Sequence, residues 1–309
     1  METEVVHKRK WITREYFMDM LSATNLVPGP NATEMAIHIG YLRAGWPGLL
    51  AGGAAFILPA ALISGALAWA YVTYGSLPQA GALFYGINPT IIAIILAATY
   101  RLGKSAIKDW KLALLAALCL AASLLGADQA VILVGAGLAG ALLYARPQAP
   151  RAAMLAFAPG LPITLPFAAL AADDRLVGLG LFFLKVGALI FGSGMVLFAF
   201  IQQDVVNRLG WLTQRQLVDA IAVGQMTPGP VLSSATFIGY LVSGWSGAVV
   251  ATVAVFLPSF FITALLGKYL PKMRNWSLGQ AFLKGVNAAV VALILAVAIG
   301  LARTSVPDV

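Results

Sequence analysis

Long apolar runs dominate the chain and alternate with short polar or basic segments. A helix needs about 20 mostly apolar residues to cross the hydrocarbon core of a bilayer. Runs of that order, which we predict to be spanning helices, cover residues 45–74, 80–100, 111–127, 129–145, 176–201, 244–267 and 280–302. The stretch 152–172 is also apolar, but its Pro and Gly residues predict a broken or re-entrant segment. The pattern therefore predicts about seven or eight spans.

The composition excludes a soluble protein. Hydrophobic residues make up 60% of the 309 residues and charged residues 10%, whereas a soluble domain carries about 25% charged residues. The mean hydropathy is +0.87. A soluble fold of this size cannot bury so much apolar surface, and no polar stretch is long enough for a separate catalytic domain. We predict an all-α integral membrane protein, a polytopic helical bundle in the lipid bilayer.

The net charge of +8 does not indicate nucleic-acid binding, because the basic residues are not gathered on one face. They form short groups at the ends of apolar runs, at 7–10, 101–111 and 268–274. That distribution is typical of cytoplasmic loops. One Cys and two His residues exclude a metal cluster built from these side chains, and no cofactor is expected. Residues 1–14 are polar, so no cleavable signal peptide is predicted.

The chain repeats itself at long range. The segment WITREYFMDMLSATNLVPGP at 11–30 matches WLTQRQLVDAIAVGQMTPGP at 211–230, with Trp, Thr, Asp and Pro-Gly-Pro at an offset of 200. After a one-residue slip, Ile-Gly-Tyr-Leu, Gly-Trp and Leu-Pro recur at an offset of 199. Shared residues of these types predict a duplication. The predicted units are a first repeat at 1–145, a connector at 146–174 and a second repeat at 175–309.

Loop charges predict that the two repeats have inverted topology. The loop 75–79 has no charge and the next loop, 101–111, has four basic residues, whereas the loop 268–274, which matches 75–79, has three basic residues. Equivalent loops therefore prefer opposite sides of the membrane. Counting every apolar run as a crossing would instead give both repeats the same orientation. We follow the charge bias and predict that 152–172 does not cross.

Pro-Gly-Pro occurs at the same place in both repeats and must break a helix inside the membrane. Freed backbone groups survive at that depth only inside protein or beside a wet cavity. A helix that starts after each break would aim its positive end and its N–H groups at the break. Two such ends would suit a tetrahedral dianion, held by Pro28, Gly29, Pro30, Asn31, Thr33, Pro228, Gly229, Pro230, Ser233 and Ser234. The alternative is that each Pro-Gly-Pro is a tight loop at the membrane surface.

Ionisable residues inside apolar segments are costly and usually functional. Lys185 and Lys284 are candidates to supply positive charge to the anion site, although each could instead extend to the membrane interface. Glu34 and His38 lie one helical turn apart after the first break, and we predict that they couple transport to protons. The alternative is a helix-stabilising pair.

These segments resemble the chromate ion transporter (CHR) family in its long, two-repeat form. The resemblance lies in NLVPGPNATEMAIHIGYLRAGWPGLLAGGAAFILPA of the first half and in LKVGALIFGSG, GWLTQRQLVDAIAVGQMTPGP, FIGYLVSGWSG and FLPSF of the second. It implies a multi-pass protein of the bacterial inner membrane that exports chromate, with sulfate as an analogue. The family's first helix, whose counterpart here carries Phe191-Gly192-Ser193-Gly194, is expected to be missing from the first repeat.

Other functions remain open from the sequence. Chromate and sulfate share charge and shape, so a carrier of sulfate or another oxyanion fits equally well. A non-transporting, partner-dependent fragment and a homodimer are further possibilities. No GxxxxGK[ST] loop is present to use ATP, which favours a secondary transporter. No HExxH motif occurs, and Ser193 has no suitable base beside it in the sequence, so an intramembrane enzyme is not expected.

Overall fold

The structure, a computed structural model, describes residues 1–24, 29–75, 78–145, 175–191, 194–266 and 277–305. Its helices are Arg14–Thr24 (α1), Asn31–Tyr74 (α2), Pro78–Ala106 (α3), Trp110–Leu124 (α4), Gln129–Tyr144 (α5), Arg175–Leu189 (α6), Val196–Phe200 (α7), Gln214–Met226 (α8), Ser234–Leu266 (α9) and Ser277–Ser305 (α10). Two π-helical turns, Thr3–Lys8 and Ile201–Arg208, and the 3-10 turn Val231–Ser233 complete the helical part.

Helix length and hydropathy agree with a membrane protein. Among the described residues, three helical stretches are long and apolar enough to cross a bilayer: Asn31–Tyr74, Val231–Leu265 and Ser277–Ala302. Trp110–Leu124 and Gln129–Tyr144 are shorter apolar helices. The prediction of an all-α integral membrane protein is confirmed. The predicted re-entrant stretch 152–172 and the basic loop 268–274 lie outside the described residues.

Helix α2 is a hairpin of two helical limbs. Its backbone leaves the helical conformation at Ala44 (φ −144°, ψ 23°) and Gly45 (φ 60°, ψ −141°). The limb 31–43 precedes this turn, and the limb 46–74, which matches the predicted span, follows it. A positive φ near 60° favours Gly, and a Gly occupies this position of the turn. Helix α9 turns in the same way at Ser243 (φ −148°, ψ 31°) and Gly244 (φ 60°, ψ −149°).

Small residues hold the two limbs of each hairpin together. A Cβ on Gly40 would collide with the carbonyl oxygen of Gly48, and a Cβ on Gly52 would stand 2.7 Å from the carbonyl oxygen of Ala36. The limb 31–43 therefore lies back along the longer limb. At 1.5 Å per residue it is about 20 Å long, which is shorter than the hydrocarbon core.

The tight limb contact gives a first testable prediction. Gly40→Ala should lower the free energy of unfolding by about 1–3 kcal/mol, because its methyl group must displace the backbone of Gly48. Gly135→Ala is the matched control, since that helical Gly has no atom within 4 Å of the position of a Cβ. Thermal unfolding in detergent should separate the two variants. Equal stability would contradict the hairpin packing.

The helix predicted through 176–201 is wrong, because the structure interrupts it. α6 ends at Leu189, and α7 begins only at Val196. The backbone between them is used by the first repeat: the Gly29 N–H donates to the carbonyl oxygen of Ile190 at 2.6 Å. A carbonyl that is freed from a helix inside a membrane needs such a partner. Hydropathy could not reveal the break, since every residue around it is apolar or small.

The long helices of the two repeats pack together and run antiparallel. Gly53 of α2 lies against the ring of Phe260 of α9. Farther along α2, the position of a Cβ on Gly65 is 3.1 Å from the ring of Trp245. As α2 proceeds, its neighbours on α9 therefore move backwards along the chain. Antiparallel packing of equivalent helices is what inverted topology requires.

Backbone geometry also recurs at the positions that the repeat offset pairs. Gly29 has φ 146° and Gly229 has φ 145°. The N–H groups of Trp11 and Trp211 each donate to the carbonyl oxygen six residues earlier, at 2.9 Å in both cases. The second copy has one residue fewer after its break, and there the structure forms the 3-10 turn Val231–Ser233 where the first copy is α-helical.

Candidate functional site

Each Pro-Gly-Pro segment is followed directly by a helical start. Pro30 is the N-cap of α2, and Pro230 is the N-cap of the 3-10 turn that leads into α9. Both prolines have extended backbone, with φ −77° and φ −69°. The first turns therefore present their N–H ends and positive dipole toward the preceding Gly. Pro28 lies outside the described residues.

Each break lies against the long helix of the other repeat. The Ser259 hydroxyl oxygen of α9 lies 2.8 Å from the position of a Cβ on Gly29, and the Ala60 methyl of α2 lies 2.6 Å from the position of a Cβ on Gly229. Ser259 and Ala60 are equivalent residues at the 199 offset. The break of each repeat therefore contacts the same position on the long helix of the other repeat.

The second break lies at the middle of the longer α2 limb. Ala60 is equally distant from residues 46 and 74, or about 21 Å from each end at 1.5 Å per residue. This contact therefore lies midway along a limb that is longer than the roughly 30 Å hydrocarbon core of a bilayer. The breaks differ in exposure: Gly29 is buried, whereas Gly229 is exposed.

Buried polar atoms without a protein partner gather around the breaks. Buried side-chain polar atoms are normally hydrogen-bonded, and an unpaired one lowers stability. Among the described residues on the segments that form or follow the breaks, several buried side-chain atoms nevertheless have no hydrogen-bond partner: Thr33 Oγ1, Glu34 Oε1 and Oε2, His38 Nδ1, Gln225 Nε2, Ser233 Oγ and Ser259 Oγ. Hydroxyl and amide groups can donate hydrogen bonds to an oxyanion. The arrangement can therefore bind a small polar ligand.

Other predicted site residues are used within the protein. The Ser234 hydroxyl donates to the carbonyl oxygen of Val231 at 2.8 Å, so it stabilises the turn that follows the second break. Asn31 opens α2 and is half-buried. Sequence reasoning missed Ser259 and Gln225. A signal for Ser259 was its place beside the repeated Leu-Pro, where the first copy has Ala60.

Hydrogen bonds join the two repeats beside the second break and farther along α2. The hydroxyl oxygens of Ser64 and Thr227 lie 3.4 Å apart, and the Tyr71 hydroxyl donates to Asp219 at 2.8 Å. Both pairs join the long limb of α2 to α8 or to the residue after it. Asp219 therefore joins α8 to the long limb of α2.

The structure does not bring Lys185 to the breaks. Its ammonium lies 3.2 Å from an Asp128 carboxylate oxygen and 3.4 Å from an Asp204 carboxylate oxygen. Asp128 is also the N-cap of α5, and Asp204 lies on the π-helical turn after α7. The positive charge is therefore matched by two carboxylates, and these contacts join α5, α6 and the π-helical turn after α7.

Lys284 is also placed away from the breaks. It is exposed, and its ammonium lies 4.8 Å from the ring centroid of Tyr144, a cation–π contact. The Tyr144 hydroxyl donates to Asp109 at 2.6 Å, and this hydrogen bond lowers the pKa of the Asp109 carboxyl. Lys284 thus belongs to a cluster with Tyr144 and Asp109.

Glu34 lies in the wall of the first break, and His38 lies between Glu34 and α1. Glu34 is 2% exposed, and its carboxyl carbon lies 2.9 Å from the position of a Cβ on Gly29. His38, one turn later, is 1% exposed, and its Nε2 lies 3.3 Å from the hydroxyl oxygen of Tyr16 on α1. Tyr16 was not predicted as a site residue, because only tertiary packing brings α1 against α2.

Comparison with known proteins identifies the family. The family model described as chromate transporter matches residues 1–141 and 177–309. The chain belongs to the chromate transporter family. It is 36% identical over 313 residues to the chromate transport protein of Cupriavidus metallidurans, an alignment that covers 100% of this chain and 78% of that protein. No solved structure matches it with statistical support.

Other members of the chromate transporter family are similar over the whole chain. The probable chromate transport protein of Synechococcus elongatus is 33% identical, covering 100% of this chain and 80% of that protein. The chromate transport protein of Pseudomonas aeruginosa is 34% identical, covering 99% and 76%. The family consists of membrane transporters and not of enzymes, so the expectation of a multi-pass transporter is confirmed.

Proposed function

We propose that the protein is a secondary carrier that exports chromate across the bacterial inner membrane and binds it between the two broken helices. The observation that carries this proposal is the reciprocal packing of Gly29 and Gly229 against the long helices, which for Gly229 lies midway along the longer limb of α2. Hydroxyl groups without protein partners, on Thr33, Ser233 and Ser259, surround that packing. Chromate is the substrate named for its relatives.

The anion is held by N–H groups and hydroxyls rather than by Lys side chains. The two first turns supply helix N-termini, which favour anions, and the neighbouring hydroxyls add donors. Lys185 and Lys284, the two lysines that were candidates for anion binding, contact Asp128 and Tyr144 instead. A site of neutral donors suits transport, because binding must be weak enough to release the anion on the other side.

Inverted repeats provide the route for alternating access. The antiparallel packing of α2 and α9 supports two repeats that are related by an axis in the membrane plane. Gly29 at the first break is buried, and Gly229 at the second break is exposed. If the first break became exposed while the second became buried, the site would open to opposite sides of the membrane in turn. The unit boundaries 1–145, 146–174 and 175–309 belong to this proposal.

The membrane potential supplies a driving force for export. Moving one elementary charge across it is worth about 2.3 kcal/mol per 100 mV. A dianion in a cell with a negative interior is therefore driven outward without ATP. Glu34 and His38 are the candidates for an additional coupling to protons.

The test of this proposal is chromate transport by the purified full chain in proteoliposomes with a potassium-diffusion potential. We expect a lumen-positive potential to drive chromate uptake and excess sulfate to compete with it. Transport that ignores chromate but carries sulfate would assign the chain to the sulfate alternative. A folded protein that moves neither anion would overturn the proposal.

Ser233→Ala should weaken chromate transport without weakening the fold. The Ser233 hydroxyl is fully buried and has no protein partner, so its removal breaks no native hydrogen bond. A hydrogen bond to a charged ligand contributes about 1.5–3 kcal/mol, so we expect about a tenfold or larger rise in the chromate concentration for half-maximal transport. The control is Ser22→Ala, whose exposed hydroxyl donates to its own helix. Unchanged transport by Ser233→Ala would remove this residue from the site.

A further inference from the structure

We infer that Glu34 takes up one proton when the oxyanion binds, so that proton and anion cross the membrane together and each cycle moves one negative charge instead of two. This inference rests on the proposed function, because it places the anion at the breaks. It goes beyond it by fixing the direction of proton coupling.

The position of Glu34 is the first support. Its carboxyl group and the Ser259 hydroxyl both lie within 3 Å of the position of a Cβ on Gly29. Among the described residues, neither carboxyl oxygen has a hydrogen-bond partner, and Glu34 is 2% exposed. An oxyanion at the first break would therefore be a direct neighbour of this carboxyl.

Electrostatics then determines the sign of the coupling. Two negatively charged groups that share a buried site cannot both stay ionised unless cations compensate them. A protonated carboxyl, by contrast, can donate a hydrogen bond to the anion. Binding of the anion therefore favours the protonated Glu34, and by linkage protonation favours binding of the anion.

Among the described residues, helix α9 and the 3-10 turn, which pack against α2, offer no cation at this point. Helix α9 carries no Asp, Glu, Lys or Arg between 234 and 266, and neither does the 3-10 turn. The charged residues of α1 and α8 are Arg14, Glu15, Asp19, Arg215 and Asp219. Arg14 pairs with Glu2, and Asp219 pairs with Tyr71 at the far end of the α2 limb. The titratable neighbours toward α1 are His38 and Tyr16.

His38 and Tyr16 form a path by which a proton can reach Glu34. Residues i and i+4 of a helix are neighbours on one face, so His38 adjoins Glu34. Its Nδ1 is buried without a protein partner, and its Nε2 lies 3.3 Å from the hydroxyl of the half-buried Tyr16. The path thus leads from α1 to the break. His38 and Tyr16 are relay residues and are not in contact with the anion.

The second repeat has no equivalent of this path. Ser234 follows the second break at the offset of 200 from Glu34, and Phe237 stands at the offset of 199 from His38. The coupling is therefore carried by one repeat, which gives one proton per cycle. An inside-negative potential still drives the resulting complex outward, since it keeps one negative charge.

The test uses proteoliposomes whose membrane potential is clamped at zero by valinomycin and equal potassium on both sides. Both compartments are kept alkaline, so that chromate is a dianion, but the pH inside the vesicles differs from the pH outside. The chromate that collects inside the vesicles is then measured. We expect the wild type to concentrate chromate in the more alkaline compartment, up to about tenfold for a tenfold proton gradient with one-to-one coupling. Protein-free vesicles and Glu15→Gln, which changes an exposed carboxyl on α1, are the controls.

Glu34→Gln should lose this accumulation, and any chromate that it moves under an applied potential should be independent of the pH gradient. Its amide keeps the shape of the protonated carboxyl and cannot titrate. Tyr16→Phe should lower the rate but not the accumulation that is finally reached. A second measurement, proton uptake when chromate is added to the protein in weakly buffered detergent, should be positive for the wild type and absent for Glu34→Gln.

The outcomes distinguish this inference from the proposed function. Chromate that concentrates in the more acidic compartment would show exchange with protons and overturn the inference. Potential-driven transport that ignores the pH gradient, equally in the wild type and in Glu34→Gln, would overturn the inference and leave the carrier function standing. A wild type that transports under neither force would overturn both.

Discussion

Gly29→Ala is expected to abolish chromate transport. Gly29 has φ 146°, a backbone conformation that side chains other than Gly rarely adopt, and strain of this kind costs about 1–3 kcal/mol. Its new methyl group would also collide with the Glu34 carboxyl and stand 2.8 Å from the Ser259 hydroxyl oxygen. Both neighbours are groups that we place at the anion site. The variant should therefore lose transport even where membrane insertion is retained.

The matched control for Gly29→Ala is Gly45→Ala. Gly45 also needs a positive φ, 60°, but no atom lies within 4 Å of the position of its Cβ. Its strain is expected to cost about 1–2 kcal/mol and to leave the break unchanged. Both variants should be compared by thermal unfolding in detergent and by chromate uptake into proteoliposomes. Equal transport by the two would show that the space above Gly29 is not the anion site.

Local sequence rules predicted the ends of helices well. Proline cannot continue a helix and restricts the residue before it, so the start of α2 at Asn31 follows from Pro-Gly-Pro alone. The limb that begins at residue 46 was also predicted, because apolarity alone marks a span. The turn before it was not, since Gly45 in an apolar run looks the same whether the helix continues or reverses. Only the contact of Gly40 with Gly48 distinguishes the two.

The interruption after Leu189 was not predictable from hydropathy. The residues around it are apolar or small, and the stabilising hydrogen bond comes from Gly29, in the other repeat. Sequence periodicity records which residues face lipid or protein, but not where a backbone group finds a distant partner.

The candidate site was predicted in part because the repeat marks it. Pro-Gly-Pro and the hydroxyls after it recur at a fixed offset, and the structure places Gly29 and Gly229 at two reciprocal contacts. Ser259 escaped prediction because it differs from its repeat mate, Ala60. In the proposed transport cycle, residues that break the symmetry of the repeat, such as Ser259 and Glu34, carry the chemistry that distinguishes the two halves.

Lys185 illustrates the limit of reasoning from a lone charge. Its presence inside an apolar run indicated a function, but its partners lie 57 and 19 residues away in the chain. The exposed fractions of the side chains are 9% for Lys185, 6% for Asp204 and 34% for Asp128. The three residues join α5, α6 and the π-helical turn after α7.

Lys185→Met should therefore destabilise the fold rather than weaken chromate binding. Removal of one partner from a buried ion pair leaves an uncompensated charge and costs about 3–5 kcal/mol. Met keeps most of the length and apolar contacts of the Lys stem, so the loss reports the charge. We expect a large fall in the free energy of unfolding in detergent, with the chromate concentration for half-maximal transport unchanged in the folded fraction.

Two companion variants decide how the Lys185→Met result is interpreted. Adding Asp204→Asn to Lys185→Met should recover much of the stability, because the buried carboxylate is then no longer charged. Lys284→Met should change stability by no more than about 1 kcal/mol, since its cation–π contact is exposed. If Lys185→Met instead kept its stability and lost chromate affinity, the ammonium would have to act at the anion site. The ion pairs with Asp128 and Asp204 would then have to open during the transport cycle.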